Sequence, residues 1–165
     1  LYQGEELGLP EHTTLVPEFR QDPTFFRTNG KRVGRDGCRV PLPWESGVGA
    51  ANGFNSTGKA WLPQPDIYAA YSRDQQEGVT GSTLELYKHA LKLRRDLKLG
   101  EGSFEWASDF VGENSLGFRN GEILVVHNFG HTPIELPAGE IIASSIEGMT
   151  IGHPLVADQT VWIKA

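Results

Sequence analysis

The sequence contains one cysteine, Cys38, and lacks any apolar run of the roughly 18 residues that a membrane-spanning helix requires. A single cysteine excludes an internal disulfide and is typical of a reducing compartment, so we expect a cytoplasmic protein. The N-terminus lacks the basic and apolar regions of a signal peptide, so no membrane association is expected. The net charge is -6, with lysine and arginine scattered among the acids, which argues against nucleic acid as a partner.

Residues 1–80 are rich in glycine, proline and asparagine, with stretches such as Val40–Trp44 that suit neither helix interiors nor central strands. The region is therefore predicted to form long loops. Connections of this length are uncommon in a compact domain and usually belong to something larger. Disorder is the alternative, but disordered segments are poor in aromatic residues. This region contains Phe19, Phe25, Phe26, Trp44, Phe54, Trp61, Tyr68 and Tyr71.

Residues 82–99 carry the clearest helical pattern. Ser82 and Glu85 have the spacing of a capping box, and Gly100 is placed to end the helix. Apolar residues recur in two neighbouring rows, which together form a broad apolar face. Such a face predicts packing against a larger body. The rows are Leu84, Tyr87 and Leu91, then Leu86, Ala90, Leu93 and Leu97.

Beyond residue 100 the pattern changes to short β-segments without helices between them, which predicts a small antiparallel β-sandwich. Asn120-Gly121 lies between two of the segments and predicts a hairpin with a type I′ turn. The predicted segments are Phe104–Trp106, Leu116–Arg119, Ile123–His127, Ile134–Leu136, Ile141–Ser145 and Thr160–Ile163.

The residues alone do not identify a reaction. His127 and His131 flank a turn and have no further ligands at a suitable spacing, so neither a metal site nor a cofactor is predicted. Cys38 has no histidine base beside it in sequence and is interpreted as a buried, inert thiol. No pair among the acidic residues of the loop region stands out as an acid and a nucleophile.

Three stretches resemble the α-glucosidases of the α-amylase family, the group that includes oligo-1,6-glucosidase. They are Leu1–Leu9, with the motif Tyr-Gln-Gly-Glu-Glu, then Arg35–Trp44, with Arg-Asp-Gly-Cys-Arg, and the Leu84–Leu97 helix followed by Leu116–Arg119. Val40 and Leu42 stand where the family usually shows threonine and methionine, a mild departure.

The resemblance implies an α+β fragment, namely the end of a (β/α)8 barrel followed by a small antiparallel β-sandwich C-domain. Residues 1–99 would be the exit of the last barrel strand, its long βα loop and the last barrel helix. Residues 100–165 would be the C-domain. The broad apolar face of the helix would then pack on the barrel strands.

The family reaction that the resemblance implies is retaining hydrolysis of a terminal α-glucosyl bond, with a small oligosaccharide as substrate. The family's catalytic carboxylates lie upstream of the Tyr-Gln-Gly motif, so no catalytic residue is expected in this chain and it should be inactive alone. Arg39 matches an arginine that lines the -1 glucose pocket and pairs with an upstream aspartate. Arg35 and Asp36 are further candidates for substrate binding or for stapling the loop.

Trp44 and Trp61 are interpreted as core anchors of the loop, in preference to sugar-stacking platforms. Two other functions remain open: a sugar-binding or interaction module, favoured by a planar row of exposed aromatics on the sandwich, and a related transglycosylase or isomerase. A truncated barrel leaves apolar surface, so the isolated chain is expected to self-associate.

Overall fold

The computed structural model describes residues 1–164, which divide into two compact units, Leu1–Glu85 and the residues from Leu86 onward. The predicted domain boundary between residues 99 and 100 stays a prediction.

The first unit consists of turns, short 3₁₀ segments and two short helices, α1 (Pro23–Arg27) and α2 (Arg73–Gln76). Its 3₁₀ segments are Glu5–Leu7, Pro17–Phe19, Asp36–Cys38, Gly49–Ala51 and Asp66–Tyr71. The prediction of long irregular connections is therefore confirmed. These connections enclose a small apolar core of four buried side chains, with Leu9 packed against them. The four are Leu15, Val40, Leu62 and Tyr68.

Helix α3 spans Thr83–Asp96 and begins where the capping pattern predicts. Ser82 Oγ accepts the Glu85 backbone N–H at 3.2 Å. The other half of the box is replaced: Ser82 N–H donates to the Val79 carbonyl, and Glu85 Oε1 accepts from Gly78 N–H at 2.9 Å. The start of the helix is thus satisfied by one bond of the capping box together with Gln76 Oε1, which accepts the Leu84 N–H at 3.1 Å.

The helix ends at Asp96, so the prediction that Gly100 terminates it is wrong. Lys98 adopts a left-handed conformation with φ of 51°. The Leu99 N–H bonds the Arg94 carbonyl at 3.0 Å and the Lys98 N–H bonds the Arg95 carbonyl at 3.1 Å. This is the Schellman pattern, with a lysine in the position that glycine usually occupies.

The second unit is built on one five-stranded antiparallel sheet with the order β1-β2-β3-β5-β4. Five of the six predicted segments are confirmed as strands. They are β1 (Phe104–Trp106), β2 (Ser115–Asn120), β3 (Ile123–Asn128), β4 (Glu140–Ser144) and β5 (Gln159–Lys164).

The predicted hairpin between β2 and β3 is present, but its turn type differs. Asn120 pairs with Ile123, so Gly121 and Glu122 are the two loop residues. Among the described residues of the turn only Gly121 has a positive φ, 58°. A positive φ at the first loop position alone fits a type II′ turn, not type I′.

The predicted sandwich does not form within residues 1–164, where the strands make a single sheet. The one predicted segment that is not a strand is Ile134–Leu136. It makes a single bridge, in which Ile134 and Leu155 exchange two backbone hydrogen bonds of 3.0 and 2.8 Å. Pro133 and Pro137 flank the segment and carry no N–H for a longer ladder.

The core of the second unit lies on one face of the sheet. Alternate residues of β3 and β5 point to this face, as the period of two requires. Leu155 and Ala107 cover them from outside the strands. The buried members are Ala107, Leu124, Val126, Leu155, Val161 and Ile163. In residues 1–164 no helix has the length and apolar character needed to cross a membrane.

Candidate functional site

A cavity of about 450 Å³ in the first unit is lined by Arg39 and four aromatic side chains. Gln3, Pro41 and Leu42 complete the lining; the aromatics are Tyr2, Trp44, Phe54 and Trp61. The interpretation of the two tryptophans as core anchors is wrong: Trp44 is 44% exposed and Trp61 is 52% exposed. Exposed aromatic faces beside a guanidinium are suited to binding a ligand with both apolar and polar surfaces, as sugars have.

The segment that carries Trp44 is held by backbone and amide hydrogen bonds. The Trp44 N–H donates to the Asn52 carbonyl at 2.7 Å, and the Trp44 carbonyl accepts from Asp74 N–H at 3.1 Å. Gln64 Nε2 donates to the Pro41 carbonyl at 3.0 Å. The Arg73 guanidinium lies 6.0 Å from the Trp44 ring centroid. The backbone that carries the indole is therefore held in place.

Asp36 lies behind Arg39 and is fully buried. Its Oδ2 accepts the backbone N–H groups of Gln21 and Asp22, each at 2.9 Å. A carboxylate that accepts two backbone donors fixes the loop to which they belong. The geometry of Asp36 is that of a loop staple.

Asp22 is the second buried carboxylate, at the N-cap of α1. Its Oδ1 accepts the Thr24 N–H at 2.8 Å, and its Oδ2 accepts the Arg35 N–H at 3.0 Å. These two bonds, with a smaller contribution from the charge of Arg39, lower the pKa of Asp22 from 3.8 to about 2 despite the opposing effect of burial. Asp22 is therefore ionised at any pH near neutrality.

Arg39 faces both carboxylates. Its Nη2 lies 3.7 Å from Asp22 Oδ2 and its Nη1 lies 3.9 Å from Asp36 Oδ1. The aspartate that the resemblance implies upstream of these residues stays a prediction; two other carboxylates face Arg39 from within the chain. Both distances exceed a hydrogen bond, and within residues 1–164 the buried Oδ1 of Asp36 has no hydrogen-bond partner. The side chain of Arg39 is 35% exposed and lines the cavity.

Two glycines of the Gly-Arg-Asp-Gly stretch lie so close to neighbouring segments that neither position has room for a side chain. A Cβ on Gly34, whose φ is 73°, would lie 2.5 Å from Asp22 Cγ. A Cβ on Gly37 would lie 2.7 Å from the His12 carbonyl oxygen. Both distances are below van der Waals contact, so the motif requires glycine at both positions for steric reasons.

Sequence reasoning missed Arg20 as a member of this region. Arg20 is 5% exposed, and its three nitrogens donate to the carbonyls of Leu15, Val33 and Thr13 at 2.9, 3.1 and 3.3 Å. Nothing in its spacing signals this role. Asp22, in contrast, immediately precedes a proline, a recognisable helix start that could have singled it out.

Arg35 and Cys38 do not line the cavity. Arg35 is exposed. Cys38 is half-buried, where a buried thiol was expected, and its Sγ lies 3.1 Å from the Arg35 carbonyl oxygen. Across residues 1–164 no three histidine, cysteine or acidic side chains group as metal ligands would.

The alpha-amylase catalytic domain family matches residues 1–101 of this chain. Salivary alpha-glucosidase of Aedes aegypti is 28% identical over 176 residues, covering 98% of this chain and 29% of that protein. A "Probable alpha-glucosidase" of Rhizobium meliloti is 36% identical over 107 residues, covering 64% of this chain and 19% of that protein.

Among solved structures, that of the alpha-glucosyl transfer enzyme XgtA is 30% identical in sequence and has a TM-score of 0.75. The match covers 99% of this chain and 32% of XgtA. The chain thus spans about a third or less of these relatives. The family match over residues 1–101 and the relatives confirm the resemblance: this chain belongs to the alpha-amylase family.

Proposed function

We propose that this chain is the C-terminal portion of a retaining α-glucosidase that hydrolyses terminal α-glucosyl bonds of small oligosaccharides. The observation that carries the proposal is the cavity in which Arg39 lies among four aromatic side chains, in a chain of the alpha-amylase family. Aromatic faces would stack on a glucosyl ring, and the guanidinium fork would donate to its hydroxyls.

In this proposal residues 1–99 form the end of the catalytic barrel and residues 100–165 form the C-domain. The small share of each relative that the chain spans supports it. The apolar residues of α3 support it as well: Leu91 is 48% exposed and Leu97, just beyond its end, is 37% exposed. Such side chains would be covered by barrel strands supplied by the rest of the protein.

We further propose that the chain is inactive alone. Retaining hydrolysis requires two carboxyl groups about 5–5.5 Å apart beside the scissile bond. The lining of the cavity within the described residues contains no carboxylate, and the nearby Asp36 is fully buried behind Arg39. The acid/base and the nucleophile would therefore come from the remainder of the parent protein.

The roles of the three candidate residues differ in this proposal. Arg39 would contact the substrate, because its side chain lines the cavity. Asp36 would act from behind it by fixing the loop, and Arg35 is a second candidate for contact because its side chain is exposed. The free, half-buried Cys38 supports a cytoplasmic location, which belongs to the proposal.

The proposal is tested by assaying this chain and the full-length parent on isomaltose, maltose, trehalose and an aryl α-glucoside. We expect turnover by the parent only, and we expect Arg39→Lys in the parent to lower kcat/KM by about 10- to 100-fold, since an ammonium cannot reproduce the guanidinium fork. Turnover by the isolated chain would contradict the missing-carboxylate argument. An inactive parent would contradict the α-glucosidase assignment.

A related glucosyl transferase is the second candidate, favoured by the 30% identity to an alpha-glucosyl transfer enzyme. The ratio of transfer product to free glucose, measured with excess acceptor sugar, distinguishes the two. A free-standing sugar-binding module is less supported. Phe104 and Trp106 on β1 are 59% and 57% exposed, but their rings are 85° apart, so the pair is not a flat stacking surface.

We also propose that the isolated chain self-associates. Large apolar side chains with more than 50% exposure occur in both units, among them Phe26, Trp61, Phe104 and Trp106. Exposed apolar surface on this scale drives association. Sedimentation velocity at increasing concentration should show dimers or larger species, and a clean monomer at high concentration would contradict the proposal.

A further inference from the structure

We propose that Asp22 is a positioning residue for Arg39: it sets the guanidinium at the rim of the aromatic cavity in the orientation that meets a glucosyl ring. The inference rests on the proposed function, because it assigns a task to Arg39. It adds a residue from the same loop to a site whose other charged partners were expected outside the chain.

The carboxylate of Asp22 is held independently of Arg39. Its two oxygens accept the backbone N–H groups of Thr24 and Arg35 at 2.8 and 3.0 Å. The side chain is only 8% exposed. A short side chain bonded to two backbone donors has little freedom, so Asp22 is a fixed negative charge.

Arg39 is the longer and more exposed partner of the pair. It is a long side chain, 35% exposed, and lies 3.7 Å from Asp22 Oδ2 and 3.9 Å from Asp36 Oδ1. These distances attract the guanidinium without using its N–H groups in short hydrogen bonds. Two fixed charges behind one guanidinium therefore orient it and leave donors available for a ligand in the cavity.

Gly34 leaves no room for a side chain: an added Cβ would lie 2.5 Å from Asp22 Cγ and 2.6 Å from Asp22 Cβ. Gly34→Ala would therefore displace the carboxylate without changing any charge. Gly78 has the same φ of 73°, with nothing within 4 Å of an added Cβ. Gly78→Ala is thus a matched control that carries the same backbone strain.

The experiment uses the full-length parent and compares Asp22→Asn, Asp22→Glu, Gly34→Ala, Gly78→Ala and Arg39→Ala. We expect Asp22→Asn and Gly34→Ala to lower kcat/KM by about 10- to 100-fold, the effect of misplacing a binding group by about 1 Å. Gly78→Ala should keep kcat/KM near that of the parent. Asp22→Glu, which keeps the negative charge, should lower kcat/KM less than Asp22→Asn does. Urea midpoints of all variants measure how much of each effect is lost stability.

Rescue by free guanidinium separates positioning from a structural role. Arg39→Ala leaves a space beside two carboxylates, so millimolar guanidinium chloride, far below denaturing concentrations, should restore part of the activity. In the double variant Arg39→Ala/Asp22→Asn the rescue should be lost, because one of the two anions that would bind the ion is gone. A residue that only stabilises the loop would leave the rescue unchanged.

The outcomes are distinguishable. If Arg39→Ala retains full activity, both the proposed role of Arg39 and the positioning inference are overturned. If Arg39→Ala loses activity while Asp22→Asn retains it, or while the double variant is still rescued, only the positioning inference is overturned. If Asp22→Asn fails to fold, the comparison of Gly34→Ala with Gly78→Ala decides: equal activities overturn the inference.

Discussion

The two units of the chain are stabilised in different ways. Among residues 1–164, six polar or charged residues are buried; five lie in the first unit and one, Asn128, lies in the second. The second unit pairs its backbone through the ladders of a sheet and buries an apolar cluster on one face. The first unit has no strand among its described residues, so side chains must satisfy much of its backbone.

Gln76 illustrates the first unit. Its Nε2 donates to the carbonyls of Leu7 and Tyr71 at 2.9 and 3.0 Å, and its Oε1 accepts the Leu84 N–H at 3.1 Å. One amide thus connects three separate backbone segments. A region built in this way depends on individual polar residues, whereas a sheet distributes its stability over many equivalent bonds.

The largest expected effect is at Asp36 in the first unit. Asp36→Ala removes the acceptor of two backbone N–H groups in a fully buried position and leaves Arg39 with one carboxylate. We expect the free energy of unfolding to fall by about 3–5 kcal/mol, as when a buried pair loses one member. Urea denaturation measures it. A loss below about 1 kcal/mol would show that water replaces the carboxylate. It would contradict the claim that the first unit depends on individual polar residues.

The matched change in the second unit is Leu155→Ala. Leu155 is fully buried in the apolar cluster and exchanges two backbone hydrogen bonds with Ile134. Because the backbone bonds survive, only packing is lost, and we expect a decrease of about 3 kcal/mol in the free energy of unfolding. Val156→Ala, at an exposed neighbour, is the control and should change it little. Equal losses of unfolding free energy in Leu155→Ala and Val156→Ala would contradict the claim that packing stabilises this core.

The acid dependence of stability should be set in part by Asp22, in the first unit. Because the pKa of Asp22 falls from 3.8 to about 2 on folding, its ionised form stabilises the folded state above about pH 4. That contribution is lost as the pH falls from 3.8 towards 2. Asp22→Asn should therefore flatten the acid dependence of the urea midpoint in this window.

The smallest effect is expected at the end of α3. Lys98 has a φ of 51° in a Schellman motif, a conformation that glycine adopts without steric cost. Lys98→Gly should raise the free energy of unfolding by about 0.5–1 kcal/mol. Lys92→Gly, in the helix interior, should lower it by about 1 kcal/mol, and further through its ion pair with Asp96. A destabilising Lys98→Gly would mean that the lysine side chain makes a contact that offsets its strain.

Local patterns predicted the elements well where one interaction defines them. The start of α3 depends on the Ser82 hydroxyl, and five strands follow from alternation, so both are confirmed. Two predictions from residue type were wrong, because Lys98 takes the left-handed position after the helix and prolines flank the segment from Ile134. Gly100 does not end the helix, and the segment from Ile134 forms only one bridge.

In the candidate site, too, some features could be predicted from the sequence and others could not. Arg39 could be singled out from its motif, and the structure places it at a cavity. Asp36 lies only three positions before Arg39, whereas the approach of Asp22 and the exposure of Trp44 and Trp61 were not predictable, because neither follows from a local period. Asp22 and Arg39 lie seventeen positions apart, and no helical or strand periodicity relates residues at that separation.

The sequence by itself determined the family, the irregular character of residues 1–80 and the change to β-segments after residue 100, because each follows from motifs or from short-range periodicity. The tertiary structure alone decided which carboxylates face Arg39, that both tryptophans line a cavity, and that one sheet forms instead of two. These features depend on loops that meet only when the chain folds, since side-chain-to-backbone hydrogen bonds between distant segments leave no periodic signal in the sequence.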